Sequence, residues 1–260
     1  MAIQKINPLK DKNSATTKRF FFWLFSNSKN FNEICSMNKK PVIAIDGFSS
    51  TGKSSISKVI AQKLDLIHID TGALYRGITY FALENCLNDS QEIDIKSLFE
   101  KFDQIHLKFI LNNGVLELFL NGKNIDKEIR EPRVSDHVSL IAKQAEVRAF
   151  LLDFQRNLAQ KGGVIMDGRD IGTVILPHAD YKFFITASPE ERARRRHLEL
   201  QKSGVDISRE EVYENLKTRD KIDSERAVAP LKKADDAILI DNTLLNKEET
   251  IALILSHISK

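Results

Sequence analysis

Gly47-Phe48-Ser49-Ser50-Thr51-Gly52-Lys53-Ser54 is the stretch on which the reading of this chain turns. It fits the pattern G-x-x-x-x-G-K-[ST] without a mismatch. Val42-Ile43-Ala44-Ile45 before it is short, apolar and largely β-branched, the pattern of a buried parallel strand. After it, Ile56, Val59, Ile60 and Leu64 recur at helical spacing. Strand, glycine-containing loop and helix together describe a phosphate loop. Its backbone N–H groups turn inward around an anion, and the helix N-terminus adds partial positive charge. In such a loop Lys53 reaches the β- and γ-phosphates, and the Ser54 hydroxyl sits on Mg²⁺. The motif implies a nucleoside triphosphate and leaves the fate of its phosphate open.

The 260 residues suffice for one domain with insertions. The hydrophobic share of 42% and charged share of 29% are those of a soluble chain. The net charge of +3 is unevenly spread. Residues 1–40 hold eight Lys and Arg against two acids, a net of +6, so the remaining 31 basic and 34 acidic residues net −3. A slightly acidic body argues against a nucleic-acid surface. Cys35 and Cys86 form neither a disulfide framework nor a metal-ligand spacing, which suits a reducing cytoplasm. No apolar run approaches the ~18 residues of a membrane-spanning helix. The expectation is a cytoplasmic monomer with no nucleic-acid or membrane partner.

Residues 1–38 read as a basic extension, disordered or arising from an early start, with Met37 a candidate first residue. Residues 20–25, Phe-Phe-Phe-Trp-Leu-Phe, fall short of the apolar region of a secretory signal, about 7–15 residues. Beyond the phosphate loop, residues 66–69 predict a second strand, with Thr71 able to cap the helix that follows. Residues 92–143 differ in character. A helix over 94–102 precedes alternating runs at 104–111 and 115–120 that flank Asn112-Asn113-Gly114, a hairpin signal. Asn121-Gly122 marks a further turn, and Pro132 a helix start. A second helix follows at about 146–160. Residues 163–166, 181–186 and 237–240 read as core strands, and 248–258 as a closing helix. Ser188-Pro189 begins a helix that Gly204 can end, and another starts near Ser208. The fold class is α/β: a doubly wound parallel sheet that carries the phosphate loop, with a small antiparallel α+β insert. The core takes 39–91 and 144–260 and the insert 92–143.

Six arginines, Arg76, Arg148, Arg169, Arg195, Arg219 and Arg226, suit an enzyme with several phosphates to hold, because arginine binds phosphate bidentately and keeps its charge. A GTPase or mechanical ATPase commonly uses one, often from a partner. No guanine-reading Asn-Lys-x-Asp motif supports that class. A binding module acting through the basic extension is the other alternative. Asp167, closing the strand at 163–166, is placed like the acid that holds Mg²⁺-bound water in phosphate-loop enzymes.

From Pro41 onward the sequence resembles the bacterial cytidylate kinases, a family of nucleoside monophosphate kinases. The resemblance rests on Ile45-Asp46-Gly47 with the loop to Ser55, Asp70-Thr71-Gly72-Ala73-Leu74-Tyr75-Arg76, Glu128-Ile129-Arg130, Asp167-Gly168-Arg169-Asp170-Ile171-Gly172-Thr173, Glu191-Arg192-Ala193 with Arg195-Arg196, and Arg226-Ala227-Val228-Ala229-Pro230-Leu231. The family more often has Pro at position 48 and Ser at 71. The resemblance implies a P-loop kinase core with a helical lid at about 192–226, and phosphoryl transfer from ATP to CMP or dCMP with Mg²⁺. It implies an ATP site of Gly47, Phe48, Ser49, Ser50, Thr51, Gly52, Lys53, Ser54, Ser55 and Arg195. It implies a CMP site of Thr71, Tyr75, Arg76, Ser139, Arg148, Arg169, Asp170, Arg219, Asp223 and Arg226. Lys53, Arg169, Arg219 and Arg226 would be catalytic, and Ser54 with Asp167, the latter through water, would hold the metal. Asp170 would accept from the cytosine amino group, while Arg148 and Ser139 would donate to N3 and O2. Uracil, an acceptor at position 4, would leave Asp170 facing an unpaired oxygen.

Overall fold

A computed structural model of the chain describes residues 40–112 and 114–258; the expectations for residues 1–38 lie outside them. Five strands form a parallel sheet: β1 (Val42–Gly47), β2 (Ile67–Asp70), β6 (Val164–Gly168), β7 (Tyr181–Thr186) and β8 (Ile238–Asp241). Their order across the sheet is β2-β6-β1-β7-β8. The strand that carries the phosphate loop is therefore central, and β6, which follows it by more than a hundred residues, lies directly beside it. The register pairs Ile45 with Asp167 and with Phe183. Loops leaving the carboxyl ends of β1, β2 and β6 thus meet at one edge, where open α/β sheets bind ligands.

Apolar runs bury both faces of this sheet. Helices α1 (Lys53–Leu64) and α8 (Lys247–Ile258) cover one face. There Ile56, Ile60, Ile251 and Ile254 pack on Ile43, Ile45, Ile165, Phe183 and Ile185. A second core forms around α2 (Thr71–Asn85) and α5 (Ala145–Ala159). Leu74, Ile78 and Phe81 meet Val147 and Leu151 there, together with Leu107, Leu118, Ile125 and Ile129 of the intervening segment. Each such side chain contributes roughly 1.5–3 kcal/mol by leaving water. Gly77 lets the segment approach α2: a Cβ at that position would stand 3.0 Å from Leu107 and 3.2 Å from Leu118.

That segment holds α3 (Ile95–Glu100) and a three-stranded antiparallel sheet, β3 (Leu107–Asn112), β4 (Val115–Leu120) and β5 (Lys123–Asn124). The hairpin forms at the Asn-Asn-Gly turn, of which Asn113 is not described. Asn121 and Gly122, both at positive φ, make the second turn. Helix α4 (Pro132–Ala142) follows, with Pro132 in its first turn.

Helices α6 (Pro189–Lys202) and α7 (Arg209–Glu225) form the arm expected as a lid. Ser188 caps α6 and Ser208 completes a capping box with Glu211, satisfying N–H groups that a helix start leaves open. One local expectation fails. Thr71 does not cap α2: Asp70 does, accepting from the Ala73 N–H at 3.3 Å. The Thr71 hydroxyl instead donates to the Asp167 carbonyl at 2.8 Å, because β6 runs alongside β2 and presents that oxygen.

Candidate active site

A cavity of about 420 Å³ opens at the carboxyl edge of the sheet. Its wall gathers residues that are dispersed through the sequence. The phosphate loop contributes Ser49, Ser50, Gly52, Lys53, Ser54 and Ser55; the start of α2 contributes Thr71, Tyr75 and Arg76. Ser139 comes from α4, Arg148 from α5, and Asp167, Arg169 and Asp170 from β6 and the turn beyond it. Arg219, Asp223 and Arg226 reach it from α7 and its end.

The loop is built as its glycines require. Gly47 has φ +148, and a Cβ there would stand 2.0 Å from the carbonyl oxygen of Ile185 on β7. Gly52 precedes α1 in the left-handed region. The buried Thr51 hydroxyl donates to the Phe48 carbonyl at 3.1 Å, closing the loop on itself. Lys53 curls back over the loop onto the same carbonyl, with Thr51 Oγ1 at 3.4 Å. Burial, helped by nearby Arg169, pushes the Lys53 amine down to about 7.

Ser54 Oγ donates to Asp167 Oδ2 at 2.7 Å. These are the two groups expected at a metal. The other carboxylate oxygen of Asp167 meets His68 Nε2 at 2.6 Å.

Asp170 joins two of the expected arginines. Arg148 Nη2 bonds its Oδ2, and Arg226 Nη2 bonds its Oδ1 at 3.1 Å, with all three side chains buried. The Tyr75 ring lies beneath Arg148, 5.4 Å from its guanidinium carbon. Arg169 links three elements: its Nε pairs with Asp223 at 2.9 Å and its Nη2 donates to Ser49 Oγ at 2.7 Å. The α7 helix and the phosphate loop thus share one guanidinium. Arg130 pairs with Asp70 at 3.0 Å and ties the insert to β2.

Arg76 and Arg219 are partnered differently. Arg76 donates to neutral oxygens, Ser135 Oγ at 2.8 Å and the Ile129 carbonyl at 3.4 Å. Burial and the charges of Arg219 and Arg130 push it down to about 9. Arg219 has a buried Nε with no acceptor, and burial with the Arg169 charge pushes it down to about 10. Two guanidiniums held this way on one wall could take an anion between them.

Four expected residues lie elsewhere than on the cavity wall: Gly47, Phe48, Thr51 and Arg195. The first and third shape the loop. The Phe48 ring packs edge-on against Phe184 and under Arg192, whose guanidinium carbon lies 5.1 Å from its centre. The side chain at this position therefore anchors the base of the α6–α7 arm. Arg195 spends its donors on Glu191, on both oxygens of Asn242 and on the Leu245 carbonyl. Asn242 in turn donates to the Thr51 carbonyl at 2.9 Å, so Arg195 braces the outer side of the loop.

Sequence reading missed several wall or supporting groups. Arg130, Ser135, Arg196 and Glu199 line the cavity. Asp46, closing β1, accepts from the N–H groups of Ile171 at 2.7 Å and Gly172 at 2.8 Å. It thereby pins the π-helical turn Ile171–Ile175 that follows Asp170. Burial pushes the Asp46 carboxyl up to about 6. A charged residue inside an apolar strand run was the available signal for it.

Comparison with known proteins identifies the family. The sequence model of the cytidylate kinase family matches residues 43–260. A cytidylate kinase of Flavobacterium johnsoniae is 46% identical over 223 residues, which span 85% of this chain and 97% of that one. A cytidylate kinase of Bacillus cereus is 47% identical over 226 residues, 86% of this chain and 98% of that one. A family model that matches from β1 to the last residue, and relatives nearly half identical along almost their whole length, place the chain in the cytidylate kinase family.

Proposed function

We propose that the chain transfers the γ-phosphoryl group of ATP to CMP or dCMP, giving ADP and CDP or dCDP. The observation that carries this reading is the meeting of Lys53 and Ser54 with Ser139, Arg148 and Asp170 around one cavity. The first pair belongs to a triphosphate, the second set to a pyrimidine with an amino group.

The acceptor needs no strong general base, since its phosphate is already anionic. An oxygen of that phosphate attacks the γ-phosphorus as the bond to the β-bridging oxygen breaks, and the electron pair leaves with ADP. Charge spreads over the transferred group in a loose transition state. Lys53, Arg169, Arg219, Arg226 and Arg76 line the cavity; the first four would neutralise that charge and Arg76 would hold the acceptor phosphate. Most of the acceleration is then positioning. Asn215 of α7 donates to Asp136 of α4 at 3.1 Å, so the arm spans the acceptor side of the cavity. An arm there excludes water that would otherwise hydrolyse ATP.

Ser54 Oγ and the Asp167 carboxylate suit Mg²⁺, a hard cation bound through oxygen. Among the described residues no group of three or more His, Cys, Asp or Glu could hold a metal by itself. This fits an ion shared with substrate phosphates, the usual mode for Mg²⁺. When bound, Mg²⁺ supplies positive charge to the phosphate oxygens of the donor.

On the same reading the chain works as a monomer on free nucleotides. No helix among the described residues is long and apolar enough to cross a membrane. A coupled assay with ATP and a panel of nucleoside monophosphates tests the proposal. CMP and dCMP are the expected acceptors, with UMP and AMP much poorer. Equal kcat/KM for CMP and UMP overturns the base assignment.

A further inference from the structure

We infer that His68 is a positioning residue for the metal-holding carboxylate, acting through Asp167. The inference rests on the reading of Ser54 and Asp167 as a Mg²⁺–nucleotide site.

Asp167 is fixed at three points. Its Oδ2 accepts from Ser54 Oγ at 2.7 Å, its backbone carbonyl accepts from Thr71 Oγ1 at 2.8 Å, and its Oδ1 lies 2.6 Å from His68 Nε2. A carboxylate oxygen accepts, so His68 Nε2 carries the proton and donates. His68 stands on β2 and Asp167 on β6, and the two strands pair with His68 opposite Ile165. Two positions further along β6, the Asp167 side chain lies within reach of the imidazole. The carboxylate is almost fully buried, while the His68 side chain keeps 18% of its surface exposed.

The geometry divides the work between the two oxygens. A carboxylate alone can rotate about its Cβ–Cγ bond and offer either oxygen. With Oδ1 tied to the imidazole, Oδ2 is left facing Ser54, the other group that would hold the metal. Partners of this kind orient a metal ligand, and losing one typically costs about tenfold or more in metal affinity or activity. Ser54 cannot supply this restraint, because its hydroxyl is itself expected on the metal. His68 is outside the cavity wall, and the wall residue it hydrogen-bonds is Asp167.

The test is ADP binding to the full chain by calorimetry, with excess Mg²⁺ and with EDTA, for the wild type, His68→Leu and His68→Gln. The wild type should bind ADP more tightly with Mg²⁺. His68→Leu should lose about tenfold of that metal-dependent gain while its affinity in EDTA stays within about twofold. His68→Gln, which retains an N–H donor at similar reach, should keep the gain within about twofold. Unchanged gain in His68→Leu overturns the inference while leaving the metal reading intact. Equal losses with and without Mg²⁺ also overturn it, since they place the effect in the fold or the nucleotide pocket; a melting temperature for each variant separates those two. A wild type with no metal-dependent gain overturns both the inference and the metal assignment on which it rests.

Discussion

Arg226 Nη2 reaches Asp170 Oδ1 at 3.1 Å, and both side chains are nearly fully buried. With Arg148 on its other oxygen, Asp170 is held between two guanidiniums before any substrate arrives. A carboxylate offers about four lone-pair sites, two of which are used, so a cytosine amino group can still be accepted. Asp170→Asn puts an amide there that can accept or donate. Weaker use of CMP and relatively better use of UMP are expected, narrowing the CMP/UMP ratio of kcat/KM at least about tenfold. Steady-state kinetics on both substrates decide it. Equal losses, with the ratio within about twofold, would show that Asp170 serves the arginines alone.

Lys53 carries its charge at a cost in the free protein, having been pushed down to about 7. At pH 8 the free amine is mostly neutral, and a polyphosphate arriving beside it favours the charged form. ATP binding at pH 8 should therefore take up as much as about one proton. Calorimetry in buffers of different ionisation heat measures this, and Lys53→Met should abolish it. The same variant should lose on the order of 10²- to 10³-fold in kcat, because Lys53 acts on developing charge. A raised KM for ATP with unchanged kcat would mean uniform binding instead.

Asp46 has a folded value of about 6, above its ordinary 3.8. Between those pH values the folded chain keeps a proton that the unfolded chain has released. Its contribution to stability therefore falls as pH rises from about 4 to 6, by at most roughly 3 kcal/mol. Asp46→Asn removes this dependence. Its stability deficit relative to wild type should shrink between pH 4.5 and 7 in denaturant titrations. A deficit constant across that range would mean that Asp46 ionises as it does in the unfolded chain.

Arg192 anchors the α6–α7 arm through Asp220 at 2.6 Å and the Ala187 carbonyl at 3.0 Å. Arg192→Leu should cost about 3–5 kcal/mol, because it strands a mostly buried carboxylate whose Oδ1 already has no partner. Adding Asp220→Leu should recover a large part of that loss. Denaturant unfolding of the two single variants and the double variant gives the coupling energy, and strict additivity would deny the pair a joint role.

Local grammar made much of this fold readable. The phosphate loop, the Ser188-Pro189 helix start, the Asn-Gly turns and the apolar strand runs each carry their own physics within a few residues. The phosphate-loop side of the cavity followed from one motif. The placement of Thr71, His68 and Asp46 did not, for a shared reason. Each spends its side chain on β6 or the turn after it, and the pairs stand 96, 99 and 125 residues apart. Which strand slides between β1 and β2 is a matter of sheet order, which no short stretch of sequence expresses. The bonds of Arg195 to Asn242 were equally invisible, because the two residues stand 47 apart in the chain.

Arg76 and Arg219 carry charge in the free protein that no carboxylate hydrogen-bonds, with Asp70 near the first and Asp223 and Asp220 near the second only at longer range. Arg76 rests on neutral oxygens and Arg219 Nε on nothing, while each repels the other. On the proposed function the acceptor's phosphate would be more than a reactant, since it would bring an anion to both guanidiniums at once. Occupancy and rigidity would then be linked, and a saturating monophosphate should raise the melting temperature of the chain.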